Sequence, residues 1–245
     1  MKQSKVWFRL AFAGMLAALV LPLAGFISVP TVAAQAAGVS LSDAEAQGIL
    51  YMREEEKLAR DVYTTLGAQW GLPVFQNIAN SEQVHMDAIE TLIDRYGLVD
   101  PVAGAGVGEF ADADLQALYD ELVARGSSSP TDALAVGALI EELDITDLQR
   151  RIAEVTHADV AQVYENLLNG SENHLRAFVS TLGRYGESYA PVYLDQASFD
   201  GILAGGPAHL GKDPGQRTLQ KAADVGTGII DGDDDGRSGD QRTEG

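Results

Sequence analysis

From Leu41 to about Gly186, apolar residues recur at intervals of three and four, and no stretch alternates as a strand would. The run LSDAEAQGILYMREEEKLARDVYTTLGAQWG opens with Ser42 and Glu45 at capping-box spacing and stops between Gly67 and Gly71, which predicts a first long helix. A second is expected over about 73–96, closed by Gly97. The Gly-rich loop LVDPVAGAGVGEFAD then leads to a shorter helix over about 113–125. GSSSP makes the next break, with Pro130 suited to a first helical turn, and a helix over about 131–154 follows. A turn near Thr156 and His157 precedes the last long helix, about 158–184. The expected fold is all-α, a four-helix bundle with one extra short helix between the two helix pairs. After Tyr185, ESYAPVYLDQASFDGILAGG keeps enough apolar residues to pack along the outside of the bundle over 41–200. Residues 201–245 turn to Gly and Asp with little to bury, the composition of a disordered tail.

The first 36 residues belong to no such pattern. Lys2, Lys5 and Arg9 precede an apolar run from Leu10 to about Val29, and small residues follow at Ala34 and Ala36. This is the layout of a secretory signal peptide over 1–36, which predicts a secreted, periplasmic or cell-envelope protein. The run is long enough to span a bilayer, so a retained anchor is the alternative and the one route to a membrane. Without the segment, 14 basic residues face 36 acidic ones. That balance disfavours nucleic acid and anionic membranes and can draw in cations. The chain has no cysteine, which removes disulfides, a lipoprotein anchor, thiolate metal sites and thiol catalysis.

The long helices share a template of offsets 0, 4, 7, 11 and 14. It reads Met52, Glu56, Ala59, Tyr63, Leu66 in the first and Ile78, Glu82, His85, Ile89, Leu92 in the second. In the fourth it reads Leu134, Ala138, Glu141, Ile145, Leu148. The last gives Leu167, Ser171, His174 and Phe178, with Leu182 one step beyond. Each long helix therefore sets a potential ligand in an apolar stripe near its middle. Charged side chains are rarely buried unless paired or bound to metal, and four at similar depth call for a common cause. Carboxylates and imidazoles are ligands for iron, manganese or zinc. Di-iron carboxylate bundles supply one Glu from each of two helices and Glu-x-x-His from each of two others. Glu56 and Glu141 would be the single carboxylates, Glu82 with His85 the first pair, and His174 the remainder of the second.

The stretches EEEKLARDVY, SEQVHMDAIETLI, LIEELDITDLQ and SENHLRAF resemble the ferritin-like di-iron carboxylate superfamily, rubrerythrin-related. More narrowly, they are similar to its uncharacterised domain-of-unknown-function branch from bacteria and archaea. The resemblance covers about 41–200. Glu56 and Tyr63 match the Glu-x6-Tyr spacing of rubrerythrin-like first helices, and Glu82-x-x-His85 matches the second-helix motif. It implies a ferritin-like bundle holding two irons, or manganese, and a ferroxidase or peroxidase-type oxidoreductase acting on ferrous iron, dioxygen or hydrogen peroxide. The departures are specific. Ser171 stands where the second Glu-x-x-His needs its Glu, so the two-metal site is incomplete by one carboxylate. Glu172 points about 100° away, and Asp144, three after Glu141, is another substitute. Rubrerythrins carry a cysteine-ligated iron module that this chain lacks, so electrons come from ferrous iron, a small reductant or an external donor protein. A non-catalytic metal-binding or interaction protein on the same scaffold is the rival reading.

Other residues compete for these roles. Glu55 rivals Glu56 because Tyr51, Glu55, Leu58 and Val62 also form an apolar row, and Glu142 rivals Glu141. Tyr63 is a core residue with a hydrogen bond to a ligand carboxylate as its other role. His157 and His209 read as solvated. Asp231, Asp233, Asp235 and Gly236 begin like a calcium loop, but Arg242 stands where the bidentate Glu belongs, so a solvated tail is expected. No Gly-x-Ser-x-Gly or phosphate-binding loop is present.

Overall fold

The computed structural model describes residues 40–205, and the expected signal peptide, the tail beyond Gly205, His209 and the calcium-like loop lie outside them. Within that span the chain is all-helical: α1 (Asp43–Trp70), α2 (Pro73–Tyr96), α3 (Ala113–Gly126), α4 (Pro130–Glu154), α5 (Ala158–Arg184) and α6 (Gln196–Leu203). No described residue is in a strand, and no helix among them is long and apolar enough to cross a membrane.

The ends follow from local chemistry. Ser42 and Glu45 form a reciprocal capping box at the start of α1, and Gly71 closes the helix with φ of 66°. Gly97 ends α2 in the same left-handed conformation. Asp112 and Ser129 accept backbone N–H groups at the starts of α3 and α4. α5 has no capping side chain of its own. Glu45 serves it instead: Oε2 completes the box with Ser42, while Oε1 accepts from the N–H groups of Thr156 and His157, 2.8 and 3.2 Å away. His157 Nδ1 lies 2.8 Å from the same oxygen, so this imidazole, expected to be solvated, is paired. Burial alone would raise the Glu45 pKa, but the bonds from His157, Thr156 and Ser42 outweigh it and hold the carboxyl well below its ordinary value.

α1 packs mainly on α2, and α4 on α5; α2 meets α5, α1 meets α4, and α3 lies against both α1 and α4. One apolar cluster gathers Tyr63, Leu66, Phe75, Leu134, Ala138 and Phe178, and a second gathers Met52, Ile89, Leu92, Leu148, Tyr164 and Leu167. Each long helix passes from one cluster to the other across its polar position. The segment after Tyr185 does more than line the outside. Tyr193, Leu194, Phe199 and Ile202 are buried in the first cluster, and α6 is a helix that periodicity did not predict.

Four charged residues of α1 hold the Gly-rich connection between α2 and α3. Arg53 bonds Asp100 at 2.9 Å, Glu90 at 3.1 Å and the Met86 carbonyl at 2.6 Å. Lys57 pairs with Asp61 and donates to the Gly106 carbonyl at 2.6 Å, while Asp61 accepts from the Gly108 N–H at 2.9 Å. Glu54 accepts from the N–H groups of Ala111 and Asp112. Buried charge is tolerated on this face because every member has a partner.

Candidate metal centre

Between the apolar clusters, α1, α2, α4 and α5 bring Glu56, Glu82, His85, Glu141 and His174 together. Glu56, Glu82 and His85 form one group and Glu82, Glu141 and His174 a second, each offering ligand atoms within 4.8 Å of one another. Glu82 belongs to both. Its Oε2 lies 2.7 Å from His85 Nδ1, and its Oε1 lies 2.7 Å from His174 Nδ1. On the outer flanks, Glu56 Oε2 is 3.1 Å from His85 Nδ1 and Glu141 Oε2 is 3.5 Å from His174 Nδ1. The two imidazoles stack with centroids 5.4 Å apart. The three carboxylates are 1–2 % exposed and the histidines 8–9 %, so charge here has no recourse to bulk water.

Helix geometry accounts for the convergence. Glu82 and His85 stand one turn apart on one face of α2, and the apolar residues above and below them fix that face inward. Tyr63 sits seven residues after Glu56 on α1; its hydroxyl donates to Glu141 Oε1 at 2.5 Å, with the Gly137 carbonyl 3.3 Å away. The hydrogen bond to a carboxylate is therefore present, reaching Glu141 rather than Glu56. His174 Nε2 lies in hydrogen-bond contact with Ser81 Oγ at 2.9 Å, leaving Nδ1 to face Glu82.

Electrostatics set the charge balance of the centre. Burial pushes Glu56 up to about 7 against the pull of His85, with Glu82 adding to the rise. Glu82 is held down to about 2 because His174 and His85 outweigh its burial. Burial would lower both histidines, yet Glu56 and Glu82 raise His85 to about 12, and Glu141 and Glu82 raise His174 to about 10. Burial and Glu82 raise Glu141. The carboxylates thus demand positive charge, which two imidazolium protons supply and which divalent cations also supply once those protons leave. Glu56 Oε1, Glu82 Oε1 and His174 Nδ1 are buried without a hydrogen-bond partner. Glu82 Oε1 and His174 Nδ1 are close, but not aligned as a hydrogen bond. Buried polar atoms in native folds are normally satisfied, and hard and imidazole donors converging on one volume suit iron, manganese or zinc. The residues fit a pair of such ions.

The rivals go elsewhere. Glu142 accepts from the N–H groups of Val192, Tyr193 and Leu194 at 2.9–3.0 Å and so pins the segment before α6. Glu55 is buried beside Asp147, which with Asp144 raises its pKa beyond what burial does, while Arg151 lowers it. Ser171, where a carboxylate was expected, is fully buried and donates to Asp144 Oδ2.

Two contributors escaped the ligand template. Ser81 is a small polar residue on a helix face, with no spacing to mark it. Gly170 had a signal: a mid-helix glycine one turn before His174. A Cβ built there would lie 2.5 Å from His85 Nε2, so the missing side chain makes room for the ring.

Residues 45–206 match a family described as an uncharacterized protein domain (DUF2202). The uncharacterized protein MJ0754 of Methanocaldococcus jannaschii is 48% identical over 164 residues, spanning 67% of this chain and 89% of that protein. The crystal structure of the hypothetical protein MJ0754 aligns with a TM-score of 0.67 at 47% identity, covering 68% of this chain and 95% of that one.

Proposed function

The chain belongs to the DUF2202 family, and from that premise we propose that its long helices form a ferritin-like bundle whose Glu56, Glu82, His85, Glu141 and His174 hold two iron ions, with manganese as the alternative metal. The observation that carries this reading is Glu82, whose two oxygens each lie 2.7 Å from the Nδ1 of a different histidine. Glu56, Glu82, His85, Glu141 and His174 would be the residues that hold the ions, with Glu82 common to both groups. Tyr63 fixes Glu141, and Ser81 fixes the His174 ring. A bound iron pair would supply open coordination positions and pass electrons from the donor to dioxygen or hydrogen peroxide, as an oxidoreductase does. The protein side of that chemistry is to exclude water and to let Glu56, which burial pushes up to about 7, change its charge. Electrons come from ferrous iron as substrate, a small reductant or an external donor.

Ser171 favours a second reading, a non-catalytic metal-binding or interaction protein, because it removes one carboxylate from the ligand set. One experiment separates the two. Ferrous iron is bound anaerobically, the bound metal is counted, and oxygen or peroxide is then admitted. Stoichiometric binding with rapid oxidation supports the oxidoreductase, and binding without oxidation supports the rival. No metal above background, or binding unchanged in Glu82→Ala and His85→Ala, removes the metal centre altogether. Export by residues 1–36 completes the proposal: the protein should be recovered outside the cytoplasm with Ala37 as its first residue.

A further inference from the structure

The ligand set has a gap on α5, and a side chain of α4 stands beside it. Ser171 lies three residues before His174, hence on the same face of α5, and Asp144 lies three after Glu141 on the same face of α4. The two faces meet through the hydroxyl of Ser171, which donates to Asp144 Oδ2, with the Leu167 carbonyl as its other acceptor at 3.0 Å. Asp144 is 5 % exposed, and its Oδ1 is buried without a hydrogen-bond partner. The charges acting on it include Glu56, Glu141 and Glu82, and it in turn raises Glu55, all of them of its own sign. A buried carboxylate amid carboxylates, with one oxygen unsatisfied, is costly unless a cation joins them.

Building on the two-metal reading, we propose that Asp144 is the missing carboxylate: it enters from α4 through the space a glutamate at 171 would have filled, and it completes the metal pair with Oδ1 while Ser171 orients it through Oδ2. The substitution at 171 is then a relocation of the ligand from one helix to its neighbour rather than a loss. A short side chain at 171 is required twice over, to leave the volume open and to present a hydroxyl.

The test counts manganese(II) on the full chain and records its electron paramagnetic resonance spectrum. The unaltered protein should bind two ions and show the multiline spectrum of an exchange-coupled pair. Asp144→Asn, which keeps shape and removes charge, should bind one ion and show the six-line spectrum of an isolated ion. Ser171→Ala keeps the carboxylate but frees it, and should weaken the second ion about 10- to 100-fold, as loss of a group supporting a ligand does. Two ions bound with unchanged affinity and a coupled spectrum in Asp144→Asn would overturn the role of Asp144 and leave the metal centre standing. No manganese or iron bound by the unaltered protein would overturn both.

Discussion

Glu54, Glu55 and Glu56 follow one another in sequence and do unrelated work, because each step along a helix turns the side chain by about 100°. Glu54 holds the backbone of the loop before α3, Glu55 faces Asp147, and Glu56 faces His85. The shared template picked Glu56 because it weighs the face and not the residue type. It could not exclude Glu55, whose own row is equally apolar, since the choice depends on what the neighbouring helices bring. The same holds for Glu141 and Glu142. Gly170→Ala gains about 1 kcal/mol of helix propensity, but its Cβ would meet the His85 ring at 2.5 Å, and overpacking of that kind costs about 1–3 kcal/mol. The clash should win. Urea unfolding should show a net loss of about 1 kcal/mol, and metal uptake should fall more than stability does if the displaced ring is the ligand proposed above.

At the scale of elements, the helices expected from periodicity and caps agree with those observed to within a few residues, because Ser42, Pro73, Gly97, Pro130 and their neighbours act locally. α6 was not legible: eight residues are too few for a helical period to show, and only Asp195, which accepts from the Ser198 N–H at 2.9 Å, marks its start. The buried charges of α1 were visible as residues but not as anchors, since the backbone they hold lies in a loop with no period. Lys57→Met should expose that dependence. Asp61 keeps Arg60 and the Gly108 N–H but loses its buried lysine, so denaturation should show a cost of about 3 kcal/mol, near the low end for a broken buried pair. Glu45, which joins the starts of α1 and α5, predicts a pH dependence. Its folded pKa is depressed below the ordinary 4.5, so its contribution is complete above that value and is lost as pH falls below it. Glu45→Gln should therefore melt lower than the unaltered protein at neutral pH, and the gap should narrow in acid.

For the molecule as a whole, the centre is a polar layer between two apolar clusters, and the fold tolerates three buried carboxylates there without an arginine or lysine among the partners described for them. Ligand binding to the folded state alone raises stability by about 2.7 kcal/mol at 100 times the dissociation constant. For a domain of this size, that is a rise of roughly 5–10 °C in Tm. Manganese should produce such a shift, a chelator should reverse it, and Glu82→Ala should abolish it. Scanning calorimetry with and without metal reads all three. Glu45 links segments 111 residues apart, so the first turns of α1 and α5 share one side chain as their terminus. Neither end can fray alone: releasing Glu45 unpins both. Amide exchange at Ala46 and at Ala161, each in the first turn of its helix, should proceed through one common opening. Glu45→Gln should speed both amides together, so that two ends remote in the chain behave as one dynamic unit.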